Sequence, residues 1–230
     1  MHSKYSALVT GTSSGLGRAI AHDLLSEGWC VHGLDIAIAT IDHPRFVSHS
    51  VDLSDASAAQ AVAASCQSIG VFVHAAGLLR VARLGALSSD DLDLMWKVHV
   101  AAASAIGNCL VPKMATQQFG RVVLLGSRVS AGIAGRSHYA ATKAALNSLA
   151  RSWAAEVVRD GVTVNVVSPA ATNTGMLTQP GRSSAPPVLP PIGRLIEPEE
   201  ISSLVRYLIG PNAAAITGQN IQICGGSSLT

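Results

Sequence analysis

The stretch "SALVTGTSSGLGRAIAHDLLSEG", residues 6–28, decides the fold. It opens with a short apolar run, the pattern of a strand covered on both faces. The loop "TGTSSGLG", Thr10 to Gly17, follows and leads straight into a helical pattern. Glycines at 11, 15 and 17 let the backbone turn sharply and approach a pyrophosphate, with helix-terminal N–H groups facing the anion. Glycine spacing alone is a weak signal, because a tight strand-to-helix turn without a ligand needs glycine too. Here both flanks fit, and an acid follows at a suitable distance. Asp35 ends the second apolar run, "CVHGLD" (30–35). A carboxylate there can accept hydrogen bonds from the adenosine ribose hydroxyls and would repel a 2′-phosphate. No Arg or Lys neighbours it, and Ser14 brings no positive charge to the loop. The expected cofactor is therefore NAD(H) and not NADP(H), against the plainer reading of a solvated loop acid.

Working outward, short apolar runs alternate with helical stretches to the end of the chain. The expected strands are 6–10, 30–35, 46–52, 71–77, 121–127, 162–169 and 220–226, and the expected helices 16–27, 55–67, 89–118, 138–159 and 198–209. Such alternation predicts an α/β fold, a doubly wound parallel sheet with helices on both faces, in a single domain over 1–230. The segment 178–194, "TQPGRSSAPPVLPPIGR", holds five of the ten prolines and reads as a surface lid, spanning about 175–197, within that domain.

Composition narrows the function classes. The chain has 230 residues, 48% of them hydrophobic and 13% charged, so it can bury a sizeable core. Its net charge of +2 is scattered and forms no Lys/Arg block, which argues against a nucleic-acid partner. The four cysteines are widely spaced, as expected of reduced, mostly buried thiols. The eight histidines show no HxxxH or HExxH pattern, so no metal is expected. No signal core and no apolar run long enough to span a bilayer are apparent, so the expected place is the cytoplasm, with no membrane partner.

The chemistry concentrates in "GSRVSAGIAGRSHYAATKAALNSLA", residues 126–150. Tyr139 and Lys143 are four apart, so a helix would project both from one face. An ammonium beside a phenol favours the phenolate and equips tyrosine as a general acid/base near neutrality. Ser127, at the end of the preceding strand, can offer a hydroxyl to the same substrate oxygen. Tyr and Lys at this spacing also occur on many inert helices.

In order and spacing, "TGTSSGLG", "HAAG" (74–77), "GS…YAATK" and "SPAATNT" resemble the short-chain dehydrogenase/reductase family, and the likeness covers essentially the whole chain. The resemblance implies a Rossmann-like domain, a nicotinamide cofactor, and hydride transfer between a secondary alcohol and a ketone. Carried onto this chain, Tyr139 exchanges the substrate proton, Lys143 assists it and binds the nicotinamide ribose, and Ser127 holds the reacting oxygen. Cofactor contacts are implied for Gly11, Ser13, Ser14, Gly15, Leu16 and Gly17 in the loop, and for Asp35. Asp52 and Leu53 would meet the adenine, Ala75, Ala76 and Gly77 line the neighbouring strand end, and Pro169, Thr172 and Thr174 lie toward the nicotinamide. The family's helical dimer faces resemble 89–118 and 138–159, implying a homodimer or homotetramer.

Four positions depart from the family pattern. His74 and Ala75 stand where the family has two asparagines, and Ala170 where it has a glycine. In "WKVHV" (96–100), His99 takes the place of the family's fourth catalytic residue, an asparagine. An imidazole can hold a water as the amide does, relay protons itself, or simply pack in the core. The substrate, a small-molecule alcohol or carbonyl, is not legible, although Arg182 and Arg194 on the lid could meet an anion. An NADPH-dependent reductase of 3-oxoacyl-type substrates and a catalytically silent dinucleotide-binding protein remain as alternatives.

Overall fold

Residues 5–178, 186 and 188–229 are described by a computed structural model of the chain. The apolar runs become seven strands: β1 (Ser6–Thr10), β2 (Cys30–Asp35), β3 (Phe46–Ser50), β4 (Ile69–His74), β5 (Gly120–Leu125), β6 (Val162–Pro169) and β7 (Asn220–Ile223). All pair in parallel, in the order β3-β2-β1-β4-β5-β6-β7. The chain winds outward from β1 in both directions, so the ends of β1 and β4 flank the point where the winding reverses. In such sheets that crevice takes the ligand.

β4, β5 and β6 are buried along their whole length, which explains why their sequences are apolar without alternation. Successive residues feed two separate cores. Leu8, Leu34, Phe72, Leu124 and Val166 point to one face. Ala7, Val9, Val31, Val73 and Val123 point to the other. The helices are α1 (Gly15–Ser26), α2 (Ala56–Ser65), α3 (Ser89–Trp96), α4 (Ala102–Thr116), α5 (Ser137–Val157) and α6 (Pro198–Ile209). α1 and α6 cover the second core, and α2, α4 and α5 the first.

Several expectations need correction. The helix expected over 89–118 is two helices joined by a π-turn, Lys97–Ala101, in which the Ala102 N–H reaches back five residues to the Lys97 carbonyl. Ser89–Thr116 as a whole is long and apolar enough to cross a membrane by length and composition. Here Ala103, Ile106, Leu110 and Met114 are fully buried against the sheet, so its apolarity serves the core. Of the four thiols only Cys66 is buried, and Cys30 is exposed. β3 and β7 end before the expected residues 52 and 226, and β4 and β5 run over Ile69–His74 and Gly120–Leu125 in place of 71–77 and 121–127. Between β2 and β3 the chain runs as a loop, so no helix covers that part of the edge. Part of the lid, residues 179–185 and 187, lies outside the described residues, and Arg182 with it.

Candidate active site

The C-terminal ends of β1, β2, β4, β5 and β6 open onto one cleft of about 1150 Å³. Every site residue expected from the sequence lines it except Ser13 and His99.

At one end of the cleft lies the glycine loop. Gly17 packs so closely on the Gly11 carbonyl that a β-carbon would collide with it. The close approach of helix to strand therefore depends on that glycine. α1 begins at this loop with no side-chain cap and no acid in its first turn. Its leading N–H groups are thus left to an anion, which suits a pyrophosphate. Asp35 faces the same end. Its Oδ2 accepts the Ser13 N–H and its Oδ1 the Ala37 N–H, both at 2.9 Å. Ser13 thus orients the carboxylate from behind and does not meet the cleft. Each carboxylate oxygen keeps a lone pair for a hydroxyl donor. Residues 36–41, "IAIATI", which follow Asp35, contain no cation. Asp52 is exposed beside the buried Leu53, and its Oδ1 accepts the Ser54 N–H at 2.8 Å. This end suits the adenosine half of a dinucleotide.

At the other end, Tyr139 and Lys143 sit one turn apart in α5, both nearly buried. Lys143 Nζ is 5.8 Å from the centre of the Tyr139 ring and donates to the Leu125 carbonyl at 2.7 Å. Burial lowers the lysine pKa from 10.5 to about 7. Ser127 follows β5 and caps the next turn, its Oγ accepting the Val129 N–H at 3.2 Å. Pro169 ends β6. Thr172 is pinned by a bridge to Ile196, and Thr174 lies against Gly15. Ala170 takes the place of a glycine at no backbone cost, because its φ is not positive. Leu79, Val129, Ile133 and Met176 give the far wall an apolar surface, with Arg83 among them and with Arg128 and Arg136, which donate to the Ser227 and Pro186 carbonyls. Arg194 is engaged elsewhere, paired with Glu200 through two contacts of 2.6 and 3.0 Å.

Behind Ser127, Tyr139 and Lys143 two buried histidines fasten the elements together. Thr10 Oγ1 accepts the N–H groups of Ala75 and Ala76, each at 3.0 Å. Its one hydrogen is then left for His74 Nδ1, also at 3.0 Å. His74 must therefore carry its proton on Nε2, which donates to the Val98 carbonyl in the π-turn at 3.1 Å. Burial first, and the charge of Lys143 second, lower the His74 pKa to about 3.

His99 stands in that π-turn. Its Nε2 accepts the Leu78 N–H at 3.0 Å. Its Nδ1 lies 2.9 Å from Thr142 Oγ1, whose hydrogen goes to the Tyr139 carbonyl, so Nδ1 carries the proton and donates. Both nitrogens are thus committed within the protein. Burial, helped by Lys143, holds the ring neutral, its pKa well below 6.5. Its edge meets the Tyr139 ring at 5.6 Å between centroids. A β-carbon at position 77 would stand 3.2 Å from His99 Nε2 and 3.5 Å from Lys143 Nζ, so Gly77 keeps room for both. Thr10 and Thr142 were not singled out from the sequence. Their partners lie 64 and 43 residues away, beyond any short motif.

The geometry can be set beside known proteins. Residues 11–228 match a family model described as enoyl-(acyl carrier protein) reductase. The chain is 32% identical over 233 residues to a 3-oxoacyl-(acyl-carrier-protein) reductase of Vibrio harveyi, covering 96% of each. It is 31% identical over 238 residues to 2,3-dihydro-2,3-dihydroxybenzoate dehydrogenase of Escherichia coli K12, again covering 96% of each. A solved structure described as a short chain dehydrogenase/reductase family protein superposes with a TM-score of 0.87 at 30% identity, over the full length of both chains.

Proposed function

The chain belongs to the short-chain dehydrogenase/reductase family, and from that premise we propose that it interconverts a secondary alcohol and a ketone with NAD(H). The observation that carries this reading is the cleft itself. It joins an acid suited to ribose hydroxyls, Asp35, to a wall bearing Ser127, Tyr139 and Lys143. When bound, the nicotinamide supplies the hydride acceptor or donor. The glycine loop and the α1 amides hold the pyrophosphate, Asp35 the ribose, and Thr172 and Thr174 the nicotinamide side. Ser127 Oγ positions the substrate oxygen, and the Tyr139 hydroxyl takes or returns its proton. Lys143 supports negative charge on that phenol oxygen. His99 acts as a positioning residue, because its two nitrogens already tie Leu78 to Thr142.

The substrate wall favours an alcohol with an apolar body, and Arg83, Arg128 and Arg136 suit one that also carries an anionic group. A second reading takes its support from the relatives: reduction of a 3-oxoacyl thioester, with NADPH as the donor. The two part at Asp35, where a 2′-phosphate would meet a fixed carboxylate and no cation in the following loop. Titrating NADH and NADPH by fluorescence decides between them. NADH should bind at least about tenfold tighter, since one uncompensated like-charge contact costs on the order of 1–2 kcal/mol. Equal or tighter NADPH binding would sink the NAD assignment. A screen of secondary alcohols with NAD, read at the NADH absorbance, then tests the activity.

A further inference from the structure

At the far edge of the sheet, three side chains that the reaction does not use converge. His32 lies on β2, His49 on β3, and Cys66 directly after α2. His49 pairs in register with Leu34, two residues beyond His32. Both imidazoles therefore stand on the face that carries Leu34, diagonal to one another across the strand pair. α2 covers that face, and its end brings the buried Cys66 onto the two rings. His32 Nδ1 is 3.0 Å from His49 Nε2, and Cys66 Sγ is 3.6 Å and 3.9 Å from those same two nitrogens.

We propose that His32, His49 and Cys66 form a binding site for a borderline-soft divalent metal ion, zinc foremost, whose fourth position is open to solvent. A tetrahedral zinc with ordinary bond lengths needs about 3.3 Å between two nitrogen ligands and about 3.6 Å between nitrogen and sulfur. The three spacings here depart from those values by no more than about 0.3 Å, well within side-chain adjustment. Two imidazoles and a thiolate select zinc and its neighbours over magnesium or calcium, which take oxygen ligands. Burial also fits: Cys66 backs onto the core while both histidines are only half buried, so an ion can enter from the solvent side.

The facing nitrogens are prepared for an ion. At 3.0 Å one ring must donate to the other, so one proton already sits where the metal would. On binding, that ring keeps its proton on its outer nitrogen and both inner lone pairs turn to the ion. The Cys66 S–H, which donates to the Val62 carbonyl at 3.3 Å, gives its proton to solvent. One proton is released per ion, with no change of oxidation state.

The sequence conceals the site because its members stand 17 residues apart in each step, with no short motif. The expectation of no metal rested on such motifs. His32 and His49 each precede by three residues an acid of the cofactor cleft, Asp35 and Asp52. An ion would thus clip the edge strand to its neighbour and to α2, about 10 Å below the adenosine end.

The test is a titration of the tag-free, metal-stripped full-length chain with Co²⁺ and then Zn²⁺, followed by absorption and calorimetry. One equivalent of Co²⁺ should produce a thiolate-to-metal band in the near ultraviolet, and Zn²⁺ should abolish it. Cys66→Ser should remove the band, and both Cys66→Ser and His49→Gln should weaken Zn²⁺ binding by at least about 100-fold. Cys30→Ser should change neither. Circular dichroism checks that each variant is folded. On the wild-type chain, which needs no variant, Zn²⁺ should protect Cys66 from alkylation while Cys30 still reacts, as read by mass spectrometry. No saturable Co²⁺ or Zn²⁺ binding below about 100 μM, a band that survives Cys66→Ser, or a Cys66 that alkylates equally with and without Zn²⁺ would each overturn the proposal.

Discussion

The molecule holds two pairs of histidines, and their surroundings set them apart. His74 and His99 lie fully buried behind Tyr139 and Lys143. Each of their ring nitrogens has a partner inside the protein, in a different element of structure. His32 and His49 lie half buried at the sheet edge, where two nitrogens meet each other and a thiol instead. The first pair is spent on holding β4, the π-turn and α5 in register. The second brings two nitrogens and a sulfur together at one point. What a histidine can do follows from where its nitrogens are committed, and the apolar neighbours of His99 in the sequence say nothing of that.

The comparison breaks most visibly at Tyr139. Tyr139→Phe should lower turnover by about 10³-fold or more while dinucleotide still binds, because the variant keeps the ring and loses only the proton-transferring oxygen. The same variant should leave the Zn²⁺ titration at His32, His49 and Cys66 unaltered. Near-normal turnover would remove the general acid/base from this reading.

A smaller effect separates the buried centre from the edge by stability. The Lys143 pKa falls from 10.5 to about 7 on folding, through burial. Between those values the unfolded chain holds more protons than the folded one, so stability rises with pH across that window. Below pH 7 the cost of burying a charged lysine is carried in full. Lys143→Met should therefore raise Tm most near pH 6, by an amount corresponding to a few kcal/mol, and the gain should fade toward pH 10. A gain independent of pH would mean that the lysine is not buried as a charged group. Thermal melts at pH 6, 8 and 10 decide it.

Most of the fold was legible because its signals are local. β1, β2 and β6 follow the apolar runs residue for residue, and the glycine loop, Asp35 and the Tyr139–Lys143 pair are each contained in a short motif. What escaped depends on contacts between distant segments. The π-turn at Lys97–Ala101 has no sequence signature of its own, and it forms where His74, Thr142 and Leu78 draw on two neighbouring residues, Val98 and His99. The lowered pKa of Lys143 escaped for the same reason, since burial by distant segments decides it.

The finest distinction concerns His99 itself. As a positioning residue it supplies one acceptor to the Leu78 N–H and one donor to Thr142. An amide can provide both from one side chain, so His99→Asn should keep turnover within a few-fold of the wild type. His99→Leu fills similar space but strands the buried Leu78 N–H, at about 1–3 kcal/mol, and takes from Thr142 Oγ1 the donor it accepts from. Part of that cost reaches the catalytic wall through Thr142 and the Tyr139 carbonyl, so its turnover should fall on the order of 10-fold to 100-fold. Rate alone does not exclude proton relay, and the pH profile does. A neutral ring that never titrates in the working range leaves the profile of His99→Asn superimposable on the wild type. A limb that moves or disappears in His99→Asn would make His99 a proton carrier and erase the contrast between the two histidine pairs.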